Sequence, residues 1–337
     1  MNEYIGFRAA IDSQPEWMAR TAEVAGEALG SRTLQPWDRR ETVAVIGMGA
    51  STHAGTVFVE GLRAAGQRAV NIDASAVAHY PAGASLADHV ILISGSGRSP
   101  EPIAAAERLG VPPVVLTNEP DSPAAELADV LVPLGGFADC GVHAIGYTAT
   151  LVALAALAGA YGVPLADPAS LAQVAADTLA DLDPLASAIA GAIDSRRFLD
   201  IVGQGLAYGS AQEAALLARE ATGTPTAAHE TMQYLHGPME GCGRTGAALI
   251  YGDEREHAIA QQLREAGVLV YQLDTHPGED TPGIIRTSHP VDGYAAAVAQ
   301  IIAAQVVTDE LAKQRGVDVG KFRFRQSDTK LPRRAVN

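Results

Sequence analysis

Three hydroxyls, two glycines and a guanidinium fall within six residues at Ser94-Gly95-Ser96-Gly97-Arg98-Ser99. The run lies between an apolar stretch, HVILI, and a helix-start signal, Ser99-Pro100. Hydroxyls together with backbone N–H groups at a helix N-terminus can hold a phosphate dianion with few basic residues. Ser94, Ser96 and Ser99 are therefore candidate phosphate ligands. The plainer alternative is a serine-rich turn in which Ser99 only caps a helix. A second glycine loop, Gly47-Met48-Gly49-Ala50-Ser51-Thr52, closes an earlier apolar run, and glycine there permits close backbone approach to an anion. With Asp73 further on, it could serve a dinucleotide, but Thr52 stands where the third glycine of that fingerprint belongs. A tight turn without a ligand fits it equally well.

The second half of the chain offers Glu220, followed sixteen residues later by His236. Ser210 and Glu213 have the spacing of a capping box, which would start a helix and give Glu213 a structural role. Glu220, seven residues on, shares that face near the helix end, where the dipole disfavours a carboxylate. A glutamate so placed is a candidate general base, with a solvated surface carboxylate as the alternative. His236 precedes Gly237-Pro238, so it belongs to a turn and is a candidate acid or base. His229, Glu230 and His236 do not form HExxH, because the second histidine comes at i+7. No zinc spacing or Walker A sequence occurs, and Cys140 and Cys242 stand alone.

The elements around these residues alternate. TVAVIG, RAVNID, HVILI and PPVVLT read as strands, and HAGTVFVEGLRAAG and SPEPIAAAERLG as helices, the latter with Ser99, Pro100 and Gly110 at its ends. Ser122-Pro123 predicts a further helix start. RRFLDIVGQGLAYGSAQEAALLARE then repeats strand, Gly-x-Gly, helix, with Gly203 and Gly205 lying 156 residues after Gly47 and Gly49. GAALIYGDE and VLVYQLD extend the second copy. The pattern predicts α/β architecture with parallel sheets in two tandem copies. The expected segments are a helical 1–34 with Pro15 near the helix start, a domain over 35–165, a second over 193–325, and a tail over 326–337.

Of 337 residues, 24 are Lys or Arg and 39 Asp or Glu, giving a net charge of −15. That argues against nucleic acid and a basic membrane surface as partners. Hydrophobic residues at 47% allow a large core. The uncharged segment 144–166 is interrupted by glycines and a proline and reads as a buried helix, not a membrane span. Two cysteines and an N-terminus without an apolar h-region fit a cytoplasmic protein.

The order and spacing of these motifs resemble the double sugar-isomerase (SIS) domain proteins, typified by the isomerase half of glucosamine-6-phosphate synthase. The residues concerned are Gln14-Pro15, GMGASTHAG, SGSGRS, Leu116-Thr117-Asn118, GQGLAYGSAQEAALLARE and His236-Gly237-Pro238. The resemblance implies two flavodoxin-like αβα units and a phosphorylated sugar as substrate. Ser51, Ser94, Ser96 and Ser99, with Gly49 and Gly95, would bind the phosphate. Glu220 would move a proton between C1 and C2. His236 would open the ring, and in the family it comes from the neighbouring subunit, which implies a homodimer. A C-terminal lysine is expected near the substrate, matching Lys330 or else Lys321. No cofactor or metal is expected. The family's Val-Ala-Ser-Thr-Lys segment appears here as Val142-His143-Ala144-Ile145-Gly146, and Arg98 replaces an uncharged or acidic residue. With no glutaminase domain or leading cysteine, the expected function is a phosphosugar isomerase or amino-sugar-phosphate deaminase. The alternatives are a fructosamine-phosphate deglycase, a non-catalytic sugar-phosphate binder and, on Gly47, Gly49 and Asp73, an NAD-dependent oxidoreductase. Glu220 and His236 together argue against mere binding.

Overall fold

Helix α1 (Phe7–Gly30) runs straight through Pro15, which is thus inside the helix and not near its start. Proline lacks the N–H that would bond the carbonyl four residues back. Gln14 supplies the missing donor: its Nε2 reaches the Ile11 carbonyl at 3.2 Å and Gln305 Oε1 at 2.7 Å. Gln305 Nε2 in turn donates to the Ala144 carbonyl at 3.4 Å. Gln14 is fully buried. Gln14→Leu should cost about 1–3 kcal/mol, because it strands buried acceptors, and a shift of the denaturant midpoint would measure it.

The computed structural model describes residues 4–81, 86–252, 255–278, 282–324, 326 and 328–332. These divide into two compact units, one holding 16–138, 145–169 and the tail from 322, the other holding 4–15, 139–144 and 170–321.

The first unit contains β1 (Thr42–Gly47), α2 (Ala50–Ala64), β2 (Arg68–Asp73), α3 (Ala74–Val77), β3 (His89–Ile93), α4 (Pro100–Leu109), β4 (Val114–Thr117), β5 (Val130–Pro133) and α5 (Ile145–Ala160). Its strands are all parallel, in the order β2-β1-β3-β4-β5. That is the flavodoxin-like order, whose ligand crevice lies between β1 and β3, where the strand order reverses. The glycine loop after β1 and the serine loop after β3 flank that crevice. Ile46, Val77, Leu92, Ile103 and Val115 fill the core under it, and Leu331 of the tail packs against them. A further helix expected at Ser122-Pro123 is only a 3-10 turn, Ala125–Leu127, because the chain enters β5 at Val130 and has no room for more. Helix α5 is buried on nearly all sides, which explains its lack of charge.

The second unit contains α6 (Leu171–Asp194), β6 (Phe198–Gly203), α7 (Leu206–Thr222), β7 (Thr226–Glu230), α8 (Thr231–Tyr234), β8 (Gly246–Tyr251), α9 (Arg255–Glu265), β9 (Leu269–Asp274), β10 (Ile284–Arg286) and α10 (Gly293–Gln314). Its parallel sheet has the order β10-β9-β8-β6-β7, the same topology as the first. Helix α10 packs on α6 and α7. It is apolar and long enough to cross a bilayer, yet 78% of its apolar window is buried within the structure. The capping box expected at Ser210 and Glu213 does not exist. Helix α7 starts at Leu206, and both residues are buried inside it. Gly205 begins the helix at φ 58°, ψ −123°, a conformation that needs glycine, just as Gly49 begins α2 at φ 56°, ψ −127°.

Candidate active site

The serine loop is built around Gly97, at φ 60°. A Cβ there would lie 1.8 Å from Ser122 Oγ, so glycine is required both by conformation and by space. Gly97 N–H donates to the Ser94 carbonyl at 2.9 Å, and the Gly97 carbonyl accepts from Ala124 N–H at 3.0 Å. Strand β4 ties the loop from the other side: Asn118 N–H and Thr117 Oγ1 both donate to the Gly95 carbonyl, at 2.9 and 3.2 Å. Asn118 then fixes the next turn through Phe137 O and Gly136 N–H.

Within this frame the hydroxyls are poised. Ser94 Oγ and Ser122 Oγ are buried and have no hydrogen-bond partner. A buried polar atom left unpaired costs free energy that a ligand can recover. Ser96 Oγ accepts only a 3.3 Å bond from Arg98 N–H. Ser99 stands at the N-cap of α4, but its side chain makes no capping bond. Its Oγ instead accepts from Lys330 Nζ at 2.7 Å. Ser51 and Gly49 lie at the start of α2, on the adjoining loop. The sequence gives no sign of Ser122 here, because only its close approach to Gly97 sets its hydroxyl beside the loop.

Arg98 and the tail hold Lys330 in place. Leu331 N–H donates to the Arg98 carbonyl at 2.8 Å, and Arg98 Nη1 to the Leu331 carbonyl at 3.3 Å. Arg98 Nε lies 3.6 Å from Glu119 Oε2. Burial, followed by the nearby Arg98 charge, pushes the Lys330 ammonium below its ordinary pKa of 10.5. The unfolded chain therefore binds this proton more tightly than the folded one, and stability rises with pH between the two values. Relative to Lys330→Met, the wild-type protein should gain stability as pH climbs towards 10.5, as thermal melts across the alkaline range would measure. A phosphate beside Lys330 would favour its charged form. Lys321, the alternative, belongs to the second unit and pairs with Asp318 on the surface.

In the second unit, Glu220 occupies the exposed last turn of α7, which Gly223 terminates at φ 68°. Arg219 beside it clamps the Thr226 carbonyl through Nε at 2.8 Å. The segment 139–144 packs near Glu220, and its Cys140 thiol is pushed up to about 12 by burial first, then by Asp139, with Glu220 adding to the effect. Cys140 thus stays a thiol, donating to the Val142 carbonyl, and is no nucleophile. Asp139 shapes this segment by accepting from Cys140 N–H at 2.8 Å and Ala144 N–H at 3.2 Å. His143 Nδ1 lies 3.6 Å from Asp139 Oδ2. The imidazole is exposed. His236 is exposed on the turn after α8, with Gly237 at φ 137° behind it. Asp73 accepts from Ser75 N–H and Oγ at 2.9 and 2.8 Å, so it caps α3. Among the described residues no group of three or more His, Cys, Asp or Glu has the geometry to hold a metal ion.

Residues 37–160 match the SIS domain family. The chain is 24% identical over 342 residues to the glutamine–fructose-6-phosphate aminotransferase (isomerizing) of Streptococcus pyogenes serotype M1, covering 93% of this chain and 56% of that protein. It spans about half the length of the curated relatives it matches. The C-terminal domain of glucosamine-fructose-6-phosphate aminotransferase from Francisella tularensis has a TM-score of 0.78 at 19% identity, covering 93% of this chain and 97% of that one. Glucosamine-6-phosphate deaminase from Thermotoga maritima has a TM-score of 0.75 at 20% identity, covering 94% and 96%. These structural likenesses establish the fold. The family match makes residues 37–160 a SIS domain, in a chain similar along most of its length to part of glutamine–fructose-6-phosphate aminotransferase.

Proposed function

We propose that the protein is an enzyme acting on a phosphorylated sugar, either an aldose–ketose isomerase or a deaminase of the glucosamine 6-phosphate type, working by proton transfer between C1 and C2. The observation that carries this reading is the hydroxyl cradle: Ser94 Oγ and Ser122 Oγ are buried without partners, and Ser99 Oγ is paired with an ammonium. A chain of charge −15 cannot attract an anion through its general field, so the anion must be held by local dipoles and one lysine. Ser94, Ser96 and Ser99 with their backbone N–H groups, and Ser51, bind the phosphate in this proposal. His236 opens the ring and Glu220 carries the proton between C1 and C2. With oxygen on C2 the outcome is isomerisation. With nitrogen on C2 the same transfer gives an imine, which water hydrolyses to a ketone and ammonia.

The test is turnover of glucosamine 6-phosphate to fructose 6-phosphate and ammonia, and of plain aldose and ketose phosphates. Ser99→Ala should weaken phosphosugar affinity by about tenfold, the effect of one lost buried contact of about 1.4 kcal/mol. Unchanged affinity would remove the loop from the site. The proposal includes a cytoplasmic homodimer in which His236 serves the neighbouring subunit. Mixing inactive Glu220→Gln and His236→Ala proteins should then restore part of the activity, whereas a site completed within one chain would give none.

A further inference from the structure

The second sheet has its own crevice at the carboxyl ends of β8 and β9, a cavity of about 200 Å³ lined by Gly252, Asp274, Thr275, His276, Asp292 and Gln300, among others. By strand position this is the counterpart of the serine loop, since β8 and β9 stand in the second sheet where β3 and β4 stand in the first. The chemistry is reversed. In place of Ser94 to Ser99 and Thr117 there are Gly252 and two carboxylates, Asp274 and Asp292, bridged by one imidazole. His276 Nε2 lies 2.8 Å from Asp292 Oδ1, and its Nδ1 3.5 Å from Asp274 Oδ1. Arg286 Nη2 lies 3.4 Å from Asp274 Oδ2 and balances one of the two charges.

The independent sign of a ligand is Gln300. It is only 5% exposed, lines the cavity, and its Oε1 has no hydrogen-bond partner. Its backbone carbonyl is held by Tyr251 OH at 3.3 Å, which anchors the residue on α10. A buried acceptor without a partner thus lies beside the carboxylate oxygens, whose surplus charge disfavours phosphate. A bound molecule must bring N–H or O–H donors and, against the surplus carboxylate, a positive charge. We infer that this crevice binds a primary ammonium compound of monosaccharide size, separately from the phosphate loop. The amine donates to Gln300 Oε1 and the carboxylates, and hydroxyls satisfy the remaining acceptors.

Isothermal titration of the full chain with unphosphorylated glucosamine, glucose and inorganic phosphate tests this. Glucosamine should bind saturably, with an affinity unchanged by Ser99→Ala, at least tenfold tighter than glucose, and without competition from phosphate. Gln300→Leu and Asp292→Asn should each weaken it by about tenfold or more, as expected for a lost charge-assisted or buried contact. Asp292 is largely exposed, so its variant keeps the fold and decides the matter. Absence of glucosamine binding, equal binding of glucose, loss of binding in Ser99→Ala, or full affinity in Asp292→Asn would each overturn the assignment. Because the probe carries no phosphate, failure here leaves the phosphosugar reading standing, and failure of that reading leaves this one standing.

Discussion

Glu220→Gln should abolish turnover while leaving phosphosugar affinity nearly unchanged. Glutamine keeps the size and hydrogen-bonding reach of the side chain but cannot accept the proton. General base catalysis contributes about 10²–10⁴-fold in rate, so kcat should fall by at least that much with KM little changed. Glu220 sits on the exposed last turn of α7, so the substitution leaves the core intact. Melting temperature should stay within a degree or two of wild type by the ordinary behaviour of surface positions, roughly ±0.5 kcal/mol. Full activity in this variant would remove Glu220 from the chemistry. Loss of affinity without loss of kcat would make it a binding residue.

Gly97→Ala should do the opposite, destroying the phosphate loop while sparing Glu220. At φ 60° an alanine pays a backbone penalty of about 1–2 kcal/mol, and its methyl would stand 1.8 Å from Ser122 Oγ and 2.4 Å from Ser122 Cβ. Strain and overpacking together should cost roughly 2–5 kcal/mol of stability. Phosphosugar affinity should fall further than in Ser99→Ala, because Ser94, Ser96 and Ser122 move together. Adding Ser122→Gly relieves the clash but not the strain. The double variant should therefore recover part of the stability and little of the affinity. Wild-type binding in Gly97→Ala would show that the phosphate is held elsewhere.

The parts of the fold that sequence reasoning missed share a physical cause. Strands β1 and β3 lie inside their sheet and read as apolar runs, and β6, also inside its sheet, is interrupted only by the buried Asp200. The missed strands β5, β7 and β10 are edge strands without such a run, whereas β2, also at an edge, is legible as RAVNID. VLVP alternates in burial, TAAHE carries a histidine and a glutamate, and IIR is three residues long. The mistaken capping box at Ser210 has a different origin. Gly205 opens α7 without a side-chain cap, so no Ser or Asp marks the true start. Likewise, Gln14-Pro15 looks like a helix boundary until the Gln14 side chain replaces the missing amide donor.

The site divides in the same way. The serine loop was legible because its hydroxyls are adjacent in sequence. The approach of Ser122 to Gly97 and the docking of Lys330 on Ser99 depend on contacts between distant segments, which no local pattern records. The tail offered two lysines, and only the Arg98–Leu331 pairing brings one of them to the loop.

The central claim is C1–C2 proton transfer on a sugar phosphate held by the serine loop. It is tested most directly by NMR in D2O with glucosamine 6-phosphate, glucose 6-phosphate and fructose 6-phosphate. Wild-type protein should wash solvent deuterium into C1 or C2 of at least one of them, whether or not ammonia is released, and Glu220→Gln should not. Absence of exchange into every sugar phosphate, or undiminished exchange in Glu220→Gln, would contradict it.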